Sequence, residues 1–136
     1  MIEVVNRQRH VKIDPKAWES FADKALGAIV KEKRDATIAF VSNRTIRDLN
    51  RRFRGLNKNT DVLSFPADEE EAGNLGDIAI SLEQARVQAR ANGLKFDQEV
   101  AQLILHGLLH LCGYDHETDN GEMDQLEIRL RRKLRI

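Results

Sequence analysis

Histidine spacing between residues 106 and 116 restricts the fold more than any other feature of this chain. His106-Gly107-Leu108-Leu109-His110-Leu111-Cys112-Gly113-Tyr114-Asp115-His116 places three imidazoles in the pattern H-x-x-x-H-x-x-G-x-x-H. On a helix, His106 and His110 are i and i+4, so both project from one face at neighbouring turns. Gly113 then tolerates the positive φ with which a helix ends and the chain reverses. His116 is thereby returned to the same point as a third nitrogen donor. Three neutral imidazoles around one open position are the donor set of a catalytic zinc rather than of a closed structural site. The pattern predicts a buried helix carrying a metal centre at its C-terminal end.

The residue between the first two ligands changes the chemistry. The frame resembles that of metzincin zinc proteases, H-E-x-x-H-x-x-G-x-x-H, in which the Glu is the general base. Here that position is Gly107. Glycine cannot take a proton, and inside a helix it costs about 1 kcal/mol against alanine. We therefore expect the peptidase mechanism to be absent and another element to approach the backbone closely at 107. His10, the remaining histidine, reads as an ordinary surface residue. Cys112 lies two residues beyond His110, about 200° around the helix, and reads as a small buried hydrophobe.

With 136 residues the chain is long enough for one domain, taken as 1–136. Charged residues at 32% and apolar ones at 41% fit a soluble globular protein. No apolar run approaches the roughly 18 residues that span a bilayer, and Met1–Arg7 lacks the layout of a signal peptide. A single cysteine excludes an internal disulfide. The expectation is a cytoplasmic protein with neither a membrane nor a disulfide partner, ending soon after its last helix without a longer tail for partner contacts. Net charge is zero, with 22 basic and 22 acidic side chains, so overall charge implies no polyanion partner. Distribution says more: Arg44, Arg47, Arg51, Arg52, Arg54 and Lys58 face only Asp48 in their stretch. A basic helix in a neutral protein is a footprint for phosphate contacts. The acidic run Asp68-Glu69-Glu70-Glu71, beside Ala72-Gly73-Asn74, reads as a solvated loop.

Periodicity supplies the frame around these motifs. Ile2 to Asn6 reads as a strand, extending as far as Ile13 if the break near Asn6-Arg7 is bridged. Asp14-Pro15 opens a helix with Asp as cap and Pro at its first position, and Trp18, Phe21, Ala22, Ala25, Leu26 and Ile29 keep a 3.6 period. Thr37–Val41 is a strand, after which Ser42 or Asn43 caps the basic helix. On that helix Ile46, Leu49, Asn50 and Phe53 share one side. Val62–Pro66 and Gly76–Ser81 read as short, half-covered strands. Leu82–Asn92 is a helix stopped by Gly93, the ligand helix starts at Phe96 or Asp97, and a last helix runs from Asp119 or Asn120 to about Leu134. Met123, Leu126, Leu130 and Leu134 are its core positions. The order predicts a single-domain α+β fold, a small mixed sheet packed against about five helices with a zincin-like metal-site helix. Strand order is not readable at this level.

Three blocks in the same order, NRRFRGLNKNTDVLSFP (Asn50 to Pro66), NLGDIAIS (Asn74 to Ser81) and HGLLHLCGYDH (His106 to His116), resemble the bacterial YbeY family of endoribonucleases. The resemblance covers roughly the last two-thirds of the chain. It implies a zinc-dependent, single-strand-specific endoribonuclease acting in 16S ribosomal RNA 3′-end maturation and ribosome quality control. Its implied partners are ribosomal RNA and ribosomal particles, and its implied cofactor is one Zn²⁺ per chain. By motif position the family's zinc ligands fall on His106, His110 and His116, and its functionally important arginine on Arg54. Zinc lowers the pKa of a bound water to about 7, which removes the need for a base at Gly107. Arg54, as a planar fork, suits a scissile phosphate; Arg51 and Arg52 are further candidates for substrate contact. Asp115 either orients a ligating imidazole and joins the catalytic set or serves the turn. Tyr114 reads as packing, and Ser64 and Asp77 as cleft-lining. Imidazoles also suit nickel, copper and iron, so zinc rests on spacing and resemblance together. Two other readings stay open. One is a metallohydrolase of a different substrate; the other is a ribosome-associated RNA-binding factor whose metal is mainly structural.

Overall fold

Alternation in two segments organises the molecule. Ile38 and Phe40 in one, and Ile78 and Ile80 in the other, are fully buried towards one face of a sheet. Val41 and Ala79 are buried towards the opposite face with Ile46 and Leu63. Apolar cover on both sides is the mark of central strands. The computed structural model describes residues 1–68 and 73–136 and arranges β1 (Ile2–Asn6), α1 (Pro15–Ile29), β2 (Asp35–Val41), α2 (Asn43–Arg54), β3 (Val62–Pro66), β4 (Asn74–Ser81), α3 (Leu82–Asn92), α4 (Phe96–Leu111) and α5 (Glu122–Leu134). The element order is the expected one. Residues 69–72 of the acidic run lie outside the described residues.

Strand order in the sheet is β1-β2-β4-β3, with β1, β2 and β4 parallel and β3 antiparallel to β4. The mixed sheet agrees with expectation, but β4 is a central strand, not a half-covered one. Its polar residues Asn74 and Asp77 fall near its start, while Ile78 to Ser81 are buried. β1 ends at Asn6 rather than reaching Ile13. The unpaired edge of β1 does not stay open: the Ile2 N–H donates to Asp23 Oδ1 at 2.8 Å and the Val4 N–H to Glu19 Oε2 at 2.9 Å. Carboxylates of α1 thus take the donors on which another strand would pair.

Local signals set the helix starts. Asp14 accepts the Lys16 and Ala17 N–H groups with Pro15 at the first helical position, and Ser42 accepts from Thr45 N–H. Both satisfy orphan donors of a first turn. The last helix begins later than expected, at Glu122. Asp119 lies outside it, where Oδ1 accepts the Gly121 N–H and Oδ2 the Met123 N–H, each at 2.9 Å. Those bonds hold the Asp119 carboxyl below its ordinary value. A lowered folded-state value stabilises above the ordinary carboxylate range, and the gain is lost as pH falls through the folded value. An Asp119→Ala variant should therefore unfold at a lower temperature than the wild type at neutral pH, the gap closing on acidification below pH ~3.8. A pH-independent gap in melting temperature would remove the carboxylate from α5 stability.

α4 lies among α1, α3, α5 and the sheet, and it is buried almost all round, from Val100 to Leu111. Gly107 is the reason it can lie so near the sheet. A Cβ built there would stand 2.9 Å from Ile78 Cδ1 and 3.0 Å from Cγ2, and Ile78 is fully buried in β4. The expected close approach is thus found, and Ile78 makes it. Gly107→Ala would gain about 1 kcal/mol of helix propensity but incur about 1–3 kcal/mol of overpacking. We expect a net loss near 1 kcal/mol in urea unfolding; a gain would mean that Ile78 yields freely.

Candidate metal centre

His106 and His110 emerge from the last two turns of α4, and the chain then reverses. Cys112 N–H bonds to Leu108 and Leu109 carbonyls, Gly113 N–H to His110 O, and Tyr114 N–H to Leu109 O. Gly113 has φ +97°, a conformation that costs other residues about 1–2 kcal/mol. This reversal delivers His116. The ligating nitrogens of His106, His110 and His116 all lie within 4.8 Å of one another, and the Nε2 atoms of His106 and His110 are 3.1 Å apart. Nitrogens sharing one tetrahedral first-row ion sit about 3.4 Å apart, from bond lengths near 2.0–2.1 Å. The donor set fits such an ion. His106 and His110 are half-buried and His116 exposed, so the centre opens to solvent on the His116 side.

The sequence reading missed a supporting residue, Glu127 of α5. The His106 Nδ1–H donates to Glu127 Oε1 at 2.9 Å, which leaves the Nε2 lone pair of His106 for a metal. Burial pushes the Glu127 carboxyl up, but the hydrogen bond from His106 and the charges of His106 and Arg131 outweigh it and hold the group below its ordinary value. The bond to Glu127 raises His106, against the opposing effect of burial. His110 moves the other way: burial lowers it, helped by His106 and His116. Arg131 approaches the same carboxylate, Nη2 standing 3.7 Å from Glu127 Oε1. A signal for Glu127 did exist. Met123, Glu127, Leu130 and Leu134 form the buried stripe of α5, and a carboxylate in such a stripe needs a partner.

A cavity of about 520 Å³ opens against His106, lined in part by Asp61, Gln88, Asn92, Gln102 and Arg131. Its wall is polar and includes a buried carboxyl: Glu99 is 4% exposed and accepts from Asn92 Nδ2 at 2.8 Å. Ser64 and Asp77 are not among its lining residues; they pair with Ile78 and Phe65 across β3 and β4. The three arginine candidates lie in the last turn of α2, exposed and away from that cavity. Arg51 and Arg52 both bind Asp48, at 2.6 and 3.2 Å. Arg54 is the last residue before Gly55, whose φ of +69° ends the helix. Asp115 is engaged by the turn: its Oδ1 accepts the Glu117 N–H at 3.0 Å and its carbonyl accepts from Thr118 and Asp119. Tyr114 is half-buried against the core, as expected. Cys112 is half-buried, less than expected, and stands apart from the three-histidine group. Burial raises its thiol above the ordinary value, which makes a thiolate at neutral pH scarce. His10 is exposed, 3.6 Å from Glu83.

A family model described as Endoribonuclease YbeY matches residues 3–135. The chain belongs to the YbeY family. Among curated relatives named Endoribonuclease YbeY, that of Acholeplasma laidlawii is 43% identical over 99 residues, 73% of this chain and 72% of the relative. That of Caldanaerobacter subterraneus is 39% identical over an alignment that covers 87% of each chain. The solution structure of TM1509 from Thermotoga maritima superposes with a TM-score of 0.68 at 30% identity, covering 98% of this chain and 89% of the other. The resemblance to the YbeY family is thereby established, and with it the α+β architecture. No helix among the described residues is long and apolar enough to cross a membrane.

Proposed function

We propose that this chain is a metal-dependent endoribonuclease cutting single-stranded RNA, acting in the cytoplasm on ribosomal RNA during 16S 3′-end maturation and ribosome quality control. The observation that carries the reading is the convergence of His106, His110 and His116 beside a position, Gly107, where no side chain fits. The family's name for its members supports the substrate class. A Zn²⁺ held by the three imidazoles would supply Lewis acidity and a water of lowered pKa, the chemistry that phosphodiester hydrolysis needs without a general base from the chain. Glu127 holds the Nδ1 proton of His106 and fixes the ring's orientation. Arg54 takes the phosphate, offering two parallel donors to its oxygens. Asp115 acts through the turn that returns His116.

Purified protein of measured metal content, incubated with single-stranded and duplex RNA beside His110→Ala and Arg54→Ala, tests the reading. Single-strand cleavage should be lost in both variants, with metal content retained in Arg54→Ala, and should return to chelated wild type on adding zinc. Identical traces from wild type and variants would assign the cleavage to a contaminant. A ribosome-binding factor with a structural metal would then be the better description.

A further inference from the structure

Phe53 is exposed on a helix side that is otherwise covered. Ile46 and Asn50 on the same side of α2 are buried, yet Phe53 is 66% exposed, and it alone among the aromatic side chains of the described residues is so open. The ring is nonetheless anchored. It meets Phe65 of β3 edge to face, centroids 5.1 Å apart and planes at 69°. Phe65 in turn packs against the buried cluster of Val41, Ile46, Leu63 and Ala79. One side of Phe53 is therefore held by the core and the rest is offered to solvent.

The chain around it is basic: Arg52 and Arg54 flank it in sequence, and beyond the Gly55 reversal come the 37%-exposed Leu56 and then Lys58. Asp48, the lone acid of the stretch, is engaged by Arg51 and Arg52, whose bonds and charges hold it below its ordinary value. An anchored aromatic face on a basic stretch of chain matches one ligand chemistry closely: an unpaired base stacks on the ring while neighbouring phosphates meet the cations. Duplex bases have their faces closed, and a protein partner drawn by Phe53 would have to be acidic around an apolar centre. Continuity of charge along α2 favours a polyanion.

We propose that Phe53, backed by Phe65, is a stacking platform for one base of single-stranded RNA, with Lys58 on an adjacent phosphate and Arg54 kept for the phosphate that is cut. The platform rests on the endoribonuclease reading and adds nothing to the three-histidine ligand set; it names how an unpaired strand is held. It gives a structural ground for single-strand preference without sequence specificity, because every base has a π-face.

Fluorescence anisotropy with a short labelled single-stranded RNA at fixed salt tests it, using the metal-loaded wild type, Phe53→Leu and Phe53→Trp. Melting temperatures are recorded beside each, and cleavage of the same RNA by wild type is measured separately. Phe53→Leu should weaken binding about 10-fold, the low-to-middle range for loss of one stacked base, with an unchanged salt slope and a melting temperature lowered by only a few degrees from the lost pair with Phe65. Phe53→Trp should bind at least as tightly as wild type. An RNA abasic throughout should lose as much with wild type as intact RNA loses with Phe53→Leu, and Phe53→Leu should lose nothing more on it. Equal binding of intact RNA by wild type and Phe53→Leu overturns the platform, as does equal binding of intact and abasic RNA by wild type. Wild type that binds in this pattern without cutting leaves the platform standing and defeats the nuclease reading. Wild type that cuts while Phe53→Leu binds normally defeats the platform alone.

Discussion

Glu127→Ala is expected to weaken metal binding by about 100-fold, and Glu127→Gln by about 10-fold, the range seen when the partner of a ligating imidazole is removed or made neutral. The carboxylate is 7% exposed and accepts the Nδ1–H of His106 at 2.9 Å. That bond selects the tautomer whose Nε2 faces the ion, and its charge makes the ring a better donor. Glutamine retains the acceptor but not the charge, so it should keep the orientation and lose the basicity. Alanine loses both and leaves the His106 N–H without its acceptor, a further cost of about 1–3 kcal/mol in stability. Competition against a chromophoric chelator measures the affinities, and chemical unfolding the stability. Wild-type affinity in both variants would show that His106 needs no partner.

Gly76→Ala should be the most damaging single-atom change outside the metal centre. Gly76 has φ +127°, and a Cβ there would lie 2.2 Å from Phe65 O, 2.7 Å from Ala67 N and 2.9 Å from Pro66 Cα. All three are backbone atoms of the partner strand end, which cannot rotate aside as a side chain can. The register explains the crowding. Asp35 pairs with Asn74 but Ala36 with Gly76, so β4 bulges at Leu75 against β2 while still pairing with β3 on its other side. Strain of about 1–3 kcal/mol from the conformation and about 1–3 kcal/mol from overlap sum to roughly 4 kcal/mol. For a domain this size that lowers the melting temperature by roughly 15 °C. A fall of about 2 °C or less would mean that the end of β3 peels away at little cost.

Much of the frame was legible before any coordinates. Asp14-Pro15, Ser42 and Gly93 mark helix ends through local hydrogen bonding and φ preference, and each stands where expected. The α5 start was misplaced because Asp119 caps from outside the helix, bonding Gly121 and Met123 rather than opening the first turn itself. The exposure of Phe53 was not readable, because helical phase says which side a residue is on, not how far the opposing sheet extends. β3 is the edge strand, and at Phe65 the cover runs out.

The clustering of three histidines, their helix and its reversal are written in the local sequence, because these depend on spacing within a few residues: a 3.6 period, an i, i+4 pair and a glycine tolerant of positive φ. So is the succession of strands and helices, through alternation and capping. Long-range packing settles the rest: β4 lies between β2 and β3, Ile78 fills the space Gly107 vacates, Glu127 holds His106 from 21 residues away, and Phe53 faces solvent. Each of those depends on what a distant segment brings into contact, and a side chain's own neighbours in sequence contain no record of that.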